Sequence, residues 1–166
     1  MHELQFRLHI HLRKNCGQLI ISCTTMTGIQ GRIQCVRLNP PIVLDVGHNT
    51  ACLKRLGETL DACGYSKQKW DIVFGVMKDK PIQEMLDILA PITQTMHCCS
   101  PVIDRALDAS SLHEACMKQS INAVHHDSVA DAIDHVLQSG DRLLITGSFY
   151  LAEEALQALD TIKNKK

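Results

Sequence analysis

From Gly31 onward, short apolar runs alternate with amphipathic segments of about a dozen residues, a pattern that few folds satisfy. Arg32 to Leu38, Ile42 to Asp45, Trp70 to Val76, Thr93 to Cys99, Asn122 to His125 and Arg142 to Thr146 read as strands. Between the second and third, Thr50 to Cys63 places Leu53, Leu56, Leu60 and Cys63 on one helical face, with Gly64 as the stop. Pro81 suits the first turn of a helix reaching Ala90, and Ser111-Leu112-His113-Glu114 has the form of a capping box. Asp127 is placed to cap a helix bearing Val129, Ile133, Val136 and Leu137, and Tyr150 to Ile162 is a last amphipathic helix. Strands joined through helices run parallel. Only Asn39-Pro40-Pro41 is a tight connection, so the first strand is expected to run antiparallel to the second. The expectation is an α/β three-layer sandwich on a mostly parallel six-stranded sheet.

With 166 residues, 45% of them hydrophobic, the chain suits one domain with a substantial core, preceded by an irregular lead-in or linker remnant over residues 1–30. His9 and His11 in that lead-in have ligand spacing but no evident third partner, so they read as surface histidines and no metal is expected. A net charge of −1 leaves no electrostatic footprint for nucleic acid or an anionic membrane. No apolar run approaches the ~20 residues of a spanning helix, and the amino end lacks the apolar region of a signal peptide. The eight cysteines include no C-x-x-C pair and read as reduced, mostly buried thiols. Adjacent Cys98 and Cys99, on a strand, should face opposite sides. A cytoplasmic protein is expected.

Parallel strands deliver the loops at 45–50, 75–80, 99–107 and 146–150 to one edge of the sheet, where such folds place ligands. That edge carries Asp45, His48, Lys78, Lys80, Arg105 and Ser148. Two of its loops also lead into helix N-termini, which favour anions. The set suits a carboxylate, an amine or a phosphate. Taken one at a time, each residue also has a plain structural reading: Asp45 and Ser148 as caps, His48 as a loop brace, the lysines as solvated charges. Asp45, His48 and Ser148 are not a serine-hydrolase triad, because Gly147-Ser148-Phe149-Tyr150 lacks the second glycine of a nucleophile elbow. Neither G-x-x-x-x-G-K-[ST] nor G-x-G-x-x-G occurs, so a triphosphate is not cradled here in either familiar way.

Five stretches, in order, carry a resemblance. They are Gly31-Arg32, Val43-Leu44-Asp45-Val46-Gly47-His48-Asn49, Val73-Phe74-Gly75-Val76-Met77-Lys78-Asp79-Lys80, Arg105-Ala106-Leu107 and Leu144-Ile145-Thr146-Gly147-Ser148-Phe149-Tyr150-Leu151. Together they resemble the carboxyl-terminal domain of folylpolyglutamate synthase and bifunctional dihydrofolate synthase, of the Mur ligase superfamily, over roughly residues 31–160. Val46-Gly47 stands where the family has Gly-Ala, Thr50 where it has proline, and Gln30 where proline precedes Gly-Arg.

The resemblance implies a Rossmann-like sheet and an ATP-dependent acid–amino acid ligase. Such a ligase activates a folate or dihydropteroate carboxylate as an acyl phosphate for attack by the amine of glutamate. It implies that ATP and magnesium are bound mainly by a larger amino-terminal domain that is absent here, so the chain would need that domain or a partner chain and be inactive alone. Residue by residue, Arg32 resembles the arginine that reaches the nucleotide. Asp45 and His48 match the acid and histidine of a D-G-A-H-N-P motif, at the nucleotide and incoming-glutamate side, and are the catalytic candidates. Ser148 matches the serine of a T-G-S motif and is assigned with His48 to glutamate binding; Lys80 and Arg105 are rim candidates. The alternative reading is a non-catalytic Rossmann-like module for a small anion or a protein partner.

Overall fold

The computed structural model describes residues 33–65 and 68–164. The lead-in over 1–30, with His9 and His11, and the nucleotide candidate Arg32 lie outside the described residues. Six strands form one sheet: β1 (Gln34–Leu38), β2 (Pro41–Leu44), β3 (Trp70–Phe74), β4 (Thr93–Cys98), β5 (Ala123–His125) and β6 (Leu143–Thr146). Their order across the sheet is β1-β2-β6-β3-β4-β5. β1 pairs antiparallel with β2 through the turn at Asn39-Pro40, and every other pairing is parallel, as expected. The central strands β3 and β6 are buried along their whole length, which is why they read as nearly continuous apolar runs, interrupted by Asp71 and Thr146, rather than as alternating ones.

The helices are α1 (Thr50–Ala62), α2 (Ile82–Leu89), α3 (Ala109–Lys118), α4 (Val129–Ser139) and α5 (Phe149–Asn164). Side chains alternate across the sheet. Val43, Ile72, Phe74, Met96, Cys98 and Leu144 pack under Leu53 and Leu56 of α1, Met85 and Leu86 of α2 and Leu112 of α3. Ile42, Leu44, Val73, Cys99 and Ile145 face the other way, under Ile133 and Val136 of α4 and Leu151 and Ala155 of α5. Cys98 and Cys99 therefore do occupy opposite layers. The result is the expected three-layer sandwich.

Several boundaries differ from the sequence reading, each for a local reason. Asp108 caps α3, accepting from the Ser111 amide at 2.8 Å, so the helix starts ahead of the Ser111 capping box. Ser128, rather than Asp127, caps α4 by accepting from the Asp131 amide at 3.0 Å. Pro81 is the cap residue of α2, which ends at Leu89, where a tighter turn over Ala90–Ile92 follows.

One feature of the topology positions the site. β2 and β6 are parallel neighbours, yet α1 leaves β2 for one face of the sheet while α5 leaves β6 for the other. The crevice between their carboxyl ends is the switch point at which α/β sheets bind ligands.

Candidate functional site at the β2–β6 crevice

At the end of β2 the Asp45 amide still donates to Ile145 of β6, at 2.9 Å, but its side chain turns inward. The carboxylate is buried and accepts from the Gly47 amide at 2.8 Å and the Ile33 amide at 3.0 Å. It thus ties the entry of β1 to the loop after β2. Gly47 is required for this, because a Cβ there would stand 2.6 Å from Asp45 Oδ1. The next residue, His48, is half-buried with Nδ1 at 3.1 Å from the Val46 carbonyl. A carbonyl only accepts, so Nδ1 carries the proton and Nε2 of the neutral ring keeps its lone pair. Asn49 then caps α1, accepting from the Cys52 amide at 2.9 Å.

The loop after β6 meets this one from the opposite layer. Ser148 is buried, and its Oγ accepts from the Leu151 amide at 3.1 Å, capping α5. The plain readings of Asp45 and Ser148 are therefore real contacts, and any further role is additional to them. Phe149 lies against His48 with ring centroids 5.8 Å apart and planes at 39°. Both loops stand at one edge, so the Asp45, His48 and Ser148 candidates are brought together.

The rim is built by the loops after β3 and β4. Met77 bridges to Ala106, the Lys78 amide donates to the Arg105 carbonyl at 3.0 Å, and the Leu107 amide donates to Val76 at 2.8 Å. Lys78 Nζ donates to the Asp104 carbonyl at 2.9 Å. Lys80 is half-buried and donates to Asp79 Oδ2 at 2.8 Å, a bond that holds the Asp79 carboxyl below the usual carboxylate range. Arg105 is exposed, with its guanidinium carbon 5.6 Å from the centre of the Tyr150 ring.

Phe149 and Tyr150 were not assigned a role from sequence, although a signal exists. In a chain only 4% aromatic, two adjacent aromatics remain exposed at a strand–helix junction. The site thus offers the second nitrogen of an imidazole, a helix N-terminus and an arginine at its edge, suited to an amine and its carboxylates. Among the described residues, no group of three His, Cys, Asp or Glu side chains is arranged to hold a metal ion.

Comparison with known proteins places this geometry. The family described as "Mur ligase, glutamate ligase domain" matches residues 31–149. The dihydrofolate synthase/folylpolyglutamate synthase of Bacillus subtilis (strain 168) is 31% identical over 130 residues, covering 78% of this chain and 30% of that protein. Its Haemophilus influenzae counterpart is 33% identical over 121 residues, covering 69% of this chain and 28% of that protein. E. coli FolC, solved with DHPP and ADP, is similar at a TM-score of 0.69 and 25% identity, over 81% of this chain and 32% of FolC. The Yersinia pestis bifunctional enzyme solved with Mn, AMPPNP and L-glutamate has a TM-score of 0.68 at 25% identity, over 80% of this chain and 32% of that one. The chain spans about a third of the length of these relatives. With the family match covering residues 31–149 and the fold in agreement, the chain belongs to the Mur ligase family of glutamate ligase domains.

Proposed function

We propose that this chain is the carboxyl-terminal, glutamate-handling part of an ATP-dependent folate–glutamate amide ligase of the folylpolyglutamate or dihydrofolate synthase type, with its domain beginning near residue 31. The observation that carries the reading is the meeting of His48 with the Ser148 helix start across the β2–β6 crevice. Relatives named for this chemistry support it, and they lend no support to a non-catalytic binding module.

In this reading the glutamate carboxylates lie toward the first turn of α5 and Arg105, and the amine lies toward His48. Nε2 of His48 takes up a proton from the amine as its nitrogen attacks the carboxyl carbon of the acyl phosphate, and the amide forms as the C–O bond to phosphate breaks and inorganic phosphate leaves. Asp45 acts as a positioning residue: both carboxylate oxygens are bonded to backbone amides, so it shapes the loop that aims His48. Arg32 and Lys80 serve the nucleotide side and the rim. In the same reading ATP and magnesium are held mainly by another domain or chain, corresponding to the part of the relatives' length that this chain does not span. A cytoplasmic setting fits the six described cysteines, all unbridged. Among the described residues no helix is long and apolar enough to cross a membrane.

The test is ADP release by the purified chain with magnesium, ATP, glutamate and either dihydropteroate or tetrahydrofolate, with and without the separately made amino-terminal domain of the Bacillus subtilis relative. Turnover only in the mixture, and its loss in His48→Ala, is the expected result. Silence in both, or full activity of His48→Ala in the mixture, overturns the proposal.

A further inference from the structure

Two strands away from the crevice, on the face covered by α4, three imidazoles from distant parts of the chain pack together. Ring centroids are 5.1 Å apart for His97 and His126, 5.4 Å for His97 and His135, and 5.3 Å for His126 and His135. His97 lies on β4, His126 directly follows β5, and His135 is on α4. His97 and His126 are buried, with Nδ1 of the first 2.9 Å from Nε2 of the second. The other nitrogen of His97 is 3.6 Å from Oδ1 of buried Asp71 on β3.

This line of groups has a fixed proton capacity. A hydrogen bond between two imidazole nitrogens uses one proton, supplied when one neutral ring donates and the other accepts. When both rings are protonated, two N–H groups confront each other and two charges share one buried site. We propose that the Asp71–His97–His126–His135 cluster is an acid-sensitive latch that fastens β5 and α4 to the sheet, closed while His97 and His126 are neutral and opened when these two buried rings take up protons.

The surroundings set the direction. Asp71 is the carboxylate beside His97; burial pushes its own pKa up, with nearby Asp141 adding to this, while bonds from Thr95 and the neighbouring His135 act the other way. His126 is faced by His97, by His135 and Asp131 of α4, and by His125 of β5. Asp131, the one acid in this second group, accepts from Ser128 Oγ at 2.7 Å. Burial, more than the neighbouring rings, lowers both His97 and His126 to about 4. A ring lowered in the folded state takes up protons more readily once released. The latch is therefore fully closed above about pH 6.5 and weakens as pH falls from 6.5 toward 4.

What it fastens is slight by itself. β5 is three residues long and joins β4 through three register pairs, Met96–Ala123, His97–Val124 and Cys98–His125. β4 also leads to the rim: Cys99, two residues after His97, donates to the Phe74 carbonyl at 3.2 Å, and the loop beyond carries Arg105. The inference holds whatever the crevice binds.

Hydrogen exchange of the whole chain at pH 7 and pH 5, corrected for intrinsic rates, reads the latch directly. Residues 123–139 are expected to open at least about tenfold more readily at pH 5, with β2 and β6 unchanged, and the NMR signals of His97 and His126 to titrate below pH 5. Gln at both positions can hydrogen-bond without titrating, so His97→Gln/His126→Gln should abolish the pH effect. Equal protection of 123–139 at the two pH values, titration of both rings near 6.5, or an undiminished pH effect in the double variant overturns the proposal. Should the double variant not fold, the exchange and titration of the natural chain still decide.

Discussion

Gly147 and Gly75 are in backbone contact: a Cβ on Gly147 would stand 2.5 Å from the Gly75 carbonyl oxygen, and Gly147 has φ 131°. The contact joins the loops after β6 and β3 and sets where Ser148 begins α5. Gly147→Ala must both leave that backbone region and push the β3 loop away, so it should cost about 2 kcal/mol or more and displace Ser148. Gly57, within α1, has nothing within 4 Å of an added Cβ, and Gly57→Ala should stabilise by up to about 1 kcal/mol. Urea unfolding of the two variants checks the pair; equal midpoints would refute the contact argument.

Asp45→Asn tests whether the carboxylate is the knot between β1 and the β2 loop. Two amides donate to its two oxygens, and one of them, on Ile33, belongs to a β-branched residue held at φ 43°. An amide side chain offers one oxygen, so one buried N–H loses its acceptor and the charge assistance disappears. A loss of about 1–3 kcal/mol is expected, with the exchange of the Ile33 and Gly47 amides speeding most. A variant as stable as the natural chain would show that the knot contributes nothing.

The sheet was legible in sequence because its central strands are nearly continuous apolar runs bounded by Pro, Gly or Asp, as in Ile42 to Asp45 and Leu143 to Gly147. Helix starts were less so, since Asp108, Ser110 and Ser111, or Asp127 and Ser128, are all competent caps and only backbone direction selects one. At the crevice, the placing of Asp45, His48 and Ser148 at one sheet edge was legible, but the inward use of Asp45 and the seat of His48 on Phe149 depend on β2 and β6 being neighbours. The histidine cluster left no local signal. His97, 29 residues from His126, reads alone as a polar interruption in a buried strand.

Thiol reactivity should divide by layer. Cys98 and Cys116 lie 3.8 Å apart in the core, and burial pushes the Cys99 thiol up to about 12. Cys35, Cys52 and Cys63 are half-buried, with Cys63 raised to about 11 by burial. Access and thiolate character set reactivity, so alkylation at pH 8 followed by mass spectrometry should label the half-buried Cys35, Cys52 and Cys63 first and Cys98, Cys99 and Cys116 only on unfolding. Early labelling of Cys116 would mean that α3 leaves β4 readily.

Ser148 combines a cap with a proposed contact to substrate, and the two roles respond differently to substitution. Alanine at a helix cap removes the acceptor and costs about 1 kcal/mol, whereas glycine costs only a few tenths. Both remove the hydroxyl. If the hydroxyl positions glutamate, Ser148→Gly and Ser148→Ala should raise the KM for glutamate to similar extents in the mixture with an amino-terminal domain, although only Ser148→Ala lowers the melting temperature appreciably. If Ser148 serves only the bond to Leu151, KM should follow stability, and the glycine variant should bind glutamate as the natural chain does. Thermal unfolding and glutamate titration of the same two proteins separate these outcomes, because the glycine variant keeps the helix start while taking away the group in question.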